Sequence, residues 1–158
     1  MTLGAEVDFI SHTRPFDLLP REAVQLIAFS CEKRRINAGD TLFRAGDAGD
    51  AGYFVHSGAI LLMGRRAGMA KRAAAGALIG ESALYGPVDR RVEARVVEDA
   101  VVTRIPRDTF RRVLVEFPDA AGKVRGALAM RTKRLVASLE ETRIRSFDRD
   151  WTRAQNLS

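Results

Sequence analysis

Apolar positions follow two different periods along this chain, and the change falls near residue 31. Before it, Phe9, Ile10, Phe16, Leu18, Leu19, Val24, Ile27 and Ala28 recur at helical spacing. They predict helices over 8–11 and 16–29, with Pro20 suited to a first turn. After it come short runs of alternating character: 33–36, 41–43, 53–56 and 59–63. Glycine punctuates them at Gly39, Gly46, Gly49, Gly52, Gly58 and Gly64, often before aspartate. Short strands separated by turn signals predict a β-sandwich or jelly roll. Residues 65–75 read as a hairpin tip with a weak returning strand at 69–72. Two more alternating runs, 91–97 and 101–105, flank a turn signal at Glu98-Asp99. Helical spacing then returns. One helix starts at Pro106-Arg107 and ends by Phe117-Pro118, and a longer one runs to about Ser146. Val124, Leu128, Leu135 and Leu139 form a narrow apolar stripe on it, interrupted by Arg131 and Thr132. That stripe fits packing on the β-domain, a dimer seam or a lid.

One stretch departs from both periods: Gly80-Glu81-Ser82-Ala83-Leu84-Tyr85-Gly86-Pro87-Val88-Asp89-Arg90. Glycine lets backbone approach a ligand closely. Glu81 supplies an acceptor for hydroxyls. Ser82-Ala83-Leu84 suffices for one helical turn, whose first N–H groups have no partner within the turn and face an anion well. Arg90 supplies a planar cation suited to phosphate. Together these residue types describe a site for a nucleotide carrying one phosphate. Each has a plainer reading too: Glu81 as a helix cap, Arg90 as a solvated strand residue.

The stretch resembles the phosphate-binding cassette of the cyclic nucleotide-binding domain family. The family pattern runs Gly-Glu, any residue, Ala or Gly, Leu, a short loop, then Arg. Gly80, Glu81, Ala83, Leu84 and Arg90 match it. The wording of 38–47 and 53–58 is also close to the family's first strands, so the resemblance covers most of Asp8 to Met130. It implies a mainly β fold, a jelly-roll β-roll at 32–105, with a helical lead-in at 8–30 and C-terminal helices at 107–146. Residues 1–147 are then one domain and 148–158 a short tail, too short for a helix-turn-helix. The implied ligand is cyclic AMP or cyclic GMP. Gly80, Glu81, Ser82, Ala83, Arg90 and Arg91 are its implied phosphate and ribose contacts. The implied mechanism is capture at the cassette followed by movement of the C-terminal helices.

Two departures qualify this resemblance. After the arginine the family has small residues, where this chain has Arg91, Val92 and Glu93. The Thr-Ser pair that contacts adenine in catabolite activator proteins falls on Leu135-Val136. Leu135 as an apolar cover and Arg131 as a stacking cation remain the candidates for the base, whose identity stays open.

Composition narrows the alternatives. With 46% hydrophobic residues the chain is a folded globule, not a disordered one. A lone Cys31 makes no internal disulfide and reads as a buried small residue in a cytoplasmic protein. No apolar run approaches membrane-spanning length. His12 and His56 lie in different elements with no partner at metal-ligand spacing, and no nucleophile motif is present. A non-enzymatic module without cofactor or metal is therefore expected. The net charge of +6 lies largely in the C-terminal third, with almost no interleaved aromatics. It reads as a solvated helix face, and DNA is not an expected partner. The expected partners are the nucleotide, an unidentified effector protein, and a second copy through the last helix. The competing reading is a degenerate domain that lost the ligand and serves as a protein–protein or dimerisation module.

Overall fold

The structure is a computed structural model that describes residues 2–64, 68 and 70–155, with side chains through 140. Arg65 and Met69 of the expected hairpin, and the last three residues of the expected tail, lie outside the described residues. The chain divides into two compact units, Met1–Ala120 and Ala121–Ser158.

The first unit opens with helix α1 (Leu3–Ile10), which starts earlier than its apolar spacing suggests because the Thr2 side chain caps the Ala5 N–H. A single 3-10 turn (Phe16–Leu18) precedes α2 (Arg21–Ser30), and Pro20 is the cap of that helix rather than part of its first turn. Among the described residues eight strands follow: β1 (Glu32–Ile36), β2 (Thr41–Phe43), β3 (Ala48–Gly49), β4 (Ala51–Met63), β5 (Ala70–Ala74), β6 (Leu78–Ile79), β7 (Val88–Asp89) and β8 (Glu93–Pro106). The main sheet runs β1-β8-β4-β5, with β2 paired to β8 and β6 to β4. β3 and β7 form a separate two-stranded ladder. The pairings are all antiparallel, as the expected jelly roll requires.

β4 and β8 are each one long strand, where the sequence predicts two short ones. The turn signals at Ser57-Gly58 and Glu98-Asp99 face each other across the pair and mark a bulge, not an end. The register shifts between Val55 and Ile60. Gly58 takes φ 84°, and a Cβ there would come within 2.3 Å of the Asp99 carbonyl oxygen. Glycine thus admits the extra residue and the close backbone approach a bulge demands.

β4 is buried on both faces, which explains its continuous apolar run. Tyr53, Val55 and Ile60 join Phe43, Ile79, Val96 and Val102 in the core between the strands. On the other face Phe54 meets Phe9 of α1 edge-on, ring centroids 5.2 Å apart. Helix α3 (Arg107–Glu116) then brings Phe110 edge-on to Phe16 at 6.2 Å.

α4 (Pro118–Gln155) outruns the predicted end near Ser146. Within the second unit Leu135, Val136 and Leu139 are exposed. Thr132, which breaks the apolar stripe, turns its hydroxyl back onto the Leu128 carbonyl at 3.0 Å. Among the described residues no helix is long and apolar enough to cross a membrane.

Candidate functional site

β6 delivers the chain to Gly80, which adopts φ 71° and ψ 33°. This left-handed conformation is costly for residues with a Cβ. It turns the backbone abruptly into a 3-10 turn, Glu81–Leu84, whose Ala83 and Leu84 side chains are buried. Tyr85 ends the turn, and β7 carries the chain back beside β3. The stretch is therefore a short loop anchored at both ends to strands.

Arg90 lies between β7 and β8 rather than on a strand. Its backbone is gripped on both sides. Its N–H donates to the Asp47 carbonyl at 2.7 Å, and its carbonyl accepts from the Gly46 N–H at 2.8 Å. Its side chain turns inward and is only 7% exposed. The guanidinium rests over the Phe43 ring, 4.2 Å from its centroid. Nη2 donates to the Ala51 carbonyl at 2.6 Å. Nη1 lies against Gly80, where an added Cβ would approach it to 2.3 Å. Gly49 is also close: a Cβ there would sit 3.2 Å from the guanidinium carbon and 3.0 Å from the Val88 carbonyl oxygen. Two glycines thus make room for one guanidinium.

This burial overturns the plainer reading of Arg90 as a solvated strand residue. Val92 and Ala94 pack on the same inner cluster as Phe43, so Arg90, two residues before Val92, turns to the same side. Burial pulls the guanidinium pKa below its usual range, Tyr53 and Asp50 oppose that, and Arg104 and Arg107 push the same way as burial. An arginine remains charged regardless. The neighbouring arginines make the underside of the loop electropositive, with Asp50 engaged by Arg104 at 2.8 Å.

Glu81 is half-buried at the start of the 3-10 turn. It accepts a hydrogen bond from the Tyr85 hydroxyl at 2.8 Å. The Tyr85 ring in turn meets Phe110 of α3, centroids 6.1 Å apart. α3 holds the turn a second time through Arg107. Its Nε donates to the Ala83 carbonyl at 2.7 Å and its Nη2 donates to the Gly49 carbonyl.

Of the residues expected to contact a ligand, Gly80, Glu81, Ser82, Ala83 and Arg90 belong to this loop or its edge. Ser82 and Arg91 are exposed, and Ala83 is buried. Glu93 pairs with Arg95 at 3.1 Å. Arg131 and Leu135 belong to the second unit, on α4. Sequence reasoning missed Phe43, Gly49, Ala51 and Arg107. Alternation turns Phe43 inward, but which side chain crosses to it depends on register, and nothing local to Arg107 announces its two carbonyl partners. Among the described residues no cluster of His, Cys, Asp and Glu suits a metal ion.

Comparison with known proteins adds the following. A family model described as the cyclic nucleotide-binding domain matches residues 33–117. Lysophospholipase NTE1 of Chaetomium globosum is 30% identical over 124 residues, which are 76% of this chain and 8% of that protein. The cAMP-dependent protein kinase regulatory subunit of Yarrowia lipolytica is 27% identical over 107 residues, 68% of this chain and 28% of that protein. The chain thus spans only a small part of these curated relatives. A solved structure of a cyclic nucleotide-binding-like protein from Brucella abortus is 29% identical with a TM-score of 0.64, over 70% of this chain and 97% of that one.

Proposed function

The chain belongs to the cyclic nucleotide-binding domain family, and from that membership we propose that it binds cyclic AMP or cyclic GMP as a non-enzymatic sensor module. The observation that carries this is the guanidinium of Arg90 held against Gly80 at the start of the 3-10 turn, with Glu81 next in the chain. Arginine has five N–H donors in a fixed fork. The Ala51 carbonyl takes one at Nη2. A phosphate at the turn would meet backbone N–H groups and a cation already oriented, without the entropy cost of ordering a free arginine. Glu81 would accept the ribose 2′-hydroxyl. Ser82 and Arg91 would add backbone donors, while the Ala83 N–H is given to the Gly80 carbonyl at 3.1 Å and Ala83 serves by being small; Leu135 or Arg131 of α4 would meet the base. Ligand would then shift the C-terminal helices only by its differential affinity for their two arrangements. Residues 1–147 form the sensor domain in this reading, in a cytoplasmic protein that signals to an effector protein or a second copy.

One observation favours a second reading. Arg90 is buried over Phe43 and bonded to the Ala51 carbonyl, so the protein's own groups hold it, which suits a domain that kept the arginine for its fold. Thermal-shift measurements with cyclic AMP, cyclic GMP and the matching 5′-monophosphates separate the two. A cyclic ligand at 100 times its dissociation constant stabilises by about 2.7 kcal/mol. No shift with any of them leaves the ligand-free module.

A further inference from the structure

Arg90 carries its charge into the core and is only 7% exposed. Among the described residues no carboxylate lies within ion-pair distance of it. Asp50, whose charge reaches Arg90, is bonded to Arg104 at 2.8 Å. Arg104 and Arg107 add repulsion. What the guanidinium has instead is the face of Phe43, its Cζ 4.2 Å from the ring centroid, with the Tyr53 ring farther off at 5.9 Å. We propose that Phe43 is a positioning residue: its ring holds the Arg90 guanidinium ready for the ligand phosphate without competing for it.

The inference rests on the cyclic-nucleotide reading above and deepens it, because it names what prepares the phosphate-binding cation. A buried charge is costly unless something compensates it. A carboxylate compensates well, but it takes the same N–H fork that a phosphate needs, and the phosphate must then displace it. An aromatic ring attracts the cation through the negative face of its quadrupole and brings no formal charge. The charge on Arg90 is thus supported but not neutralised. One donor is fixed on the Ala51 carbonyl, and Gly49 and Gly80 lie close against the group. Together with the ring these contacts set where the guanidinium lies. An aliphatic side chain at 43 fills the same space but attracts no charge, so the guanidinium has to be ordered as the phosphate arrives.

The test varies the charge on the ring face and keeps the ring's shape. Phe43 is replaced by phenylalanines carrying one, two and three ring fluorines, which withdraw negative charge from the face step by step. Phe43→Leu removes the ring altogether. Titration calorimetry is run with cyclic AMP and cyclic GMP on the full chain. The ligand that binds the wild type should lose affinity with each fluorine, about threefold to tenfold in all, and Phe43→Leu should lose at least as much. Fluorine makes the ring more apolar, so a side chain that only packs would keep or gain affinity along the series. Affinity that does not fall with fluorine overturns the inference alone, whatever Phe43→Leu does. Absence of cyclic nucleotide binding by the wild type overturns the inference together with the reading it rests on.

Discussion

Arg90 and Glu81 stand at the two ends of one loop and are held by opposite means. Arg90 is fixed by the sheet: an aromatic face from β2, a carbonyl from β4, and backbone bonds to the Gly46-Asp47 turn. Glu81 is fixed from the helical side, through Tyr85 and the Phe110 of α3. The cation is therefore part of the core, and the carboxylate is not. A buried charge that loses its surroundings is costly, while a partly exposed one is rehydrated at little cost. The same loop should accordingly show two kinds of mutational response.

The largest effect is expected at the sheet end. Arg90→Ala should weaken cyclic nucleotide binding by roughly 2–5 kcal/mol, the usual cost of removing one partner of a hydrogen-bonded charge pair. It should also lower the melting temperature, because it empties the space over Phe43 and leaves the Ala51 carbonyl unpaired. Calorimetric titration and a thermal melt on the same sample check both. A variant that lost affinity with an unchanged melt would break the contrast with Glu81.

Arg107 lies between the two ends, bonding one carbonyl of the turn and one of β3. Arg107→Met keeps an apolar stem and should cost about 3 kcal/mol of stability, since hydrogen bonds to a charged group are worth about 1.5–3 kcal/mol each. Arg107→Lys should recover only part of this, because an ammonium has no planar fork. Urea denaturation of the three proteins measures it, and full rescue by lysine would show that charge rather than geometry holds the turn.

Glu81→Ala should cost binding alone. A ligand with a free 2′-hydroxyl should lose about 1.5–3 kcal/mol, as for a charged hydrogen bond, and the 2′-deoxy analogue should lose much less. Stability should move by no more than about 0.5 kcal/mol. Equal losses for both sugars would make Glu81 a helix cap and nothing more.

The smallest effect lies away from the loop and serves as a control. His56 sits beside the Phe9 and Phe54 rings, its Nε2 2.6 Å from the Thr103 hydroxyl. Burial, then the charge of Lys33, lowers its pKa from the usual 6.5. The unfolded chain then binds the proton more readily than the folded one, so stability is full above pH 6.5 and is lost as pH falls toward the folded pKa. Melts from pH 7.5 to pH 5 should show this slope, and His56→Gln should flatten it.

The contrast between the two ends also marks what could be read from the sequence. The ligand chemistry proposed for Gly80, Glu81 and Arg90 follows from residue type and order within one short stretch. The jelly roll follows from alternation and glycine punctuation. What holds the cassette does not follow, because Phe43, Ala51 and Arg107 meet it only through sheet register and the placement of α3. Ser57-Gly58 and Glu98-Asp99 were legible as interruptions. Reading them as a bulge required knowing that they face each other.

The central claim is that the Arg90 guanidinium takes the ligand phosphate, and phosphorus-31 NMR observes that phosphate directly. Cyclic AMP and cyclic GMP are titrated with the wild type and with Arg90→Lys, which retains the charge and an apolar stem over Phe43 but has no fork. The account predicts a saturable shift or broadening of the phosphorus resonance with the wild type, strongly reduced with an Arg90→Lys protein of matching circular dichroism. An unperturbed resonance with the wild type, or the same perturbation with both proteins, would contradict it.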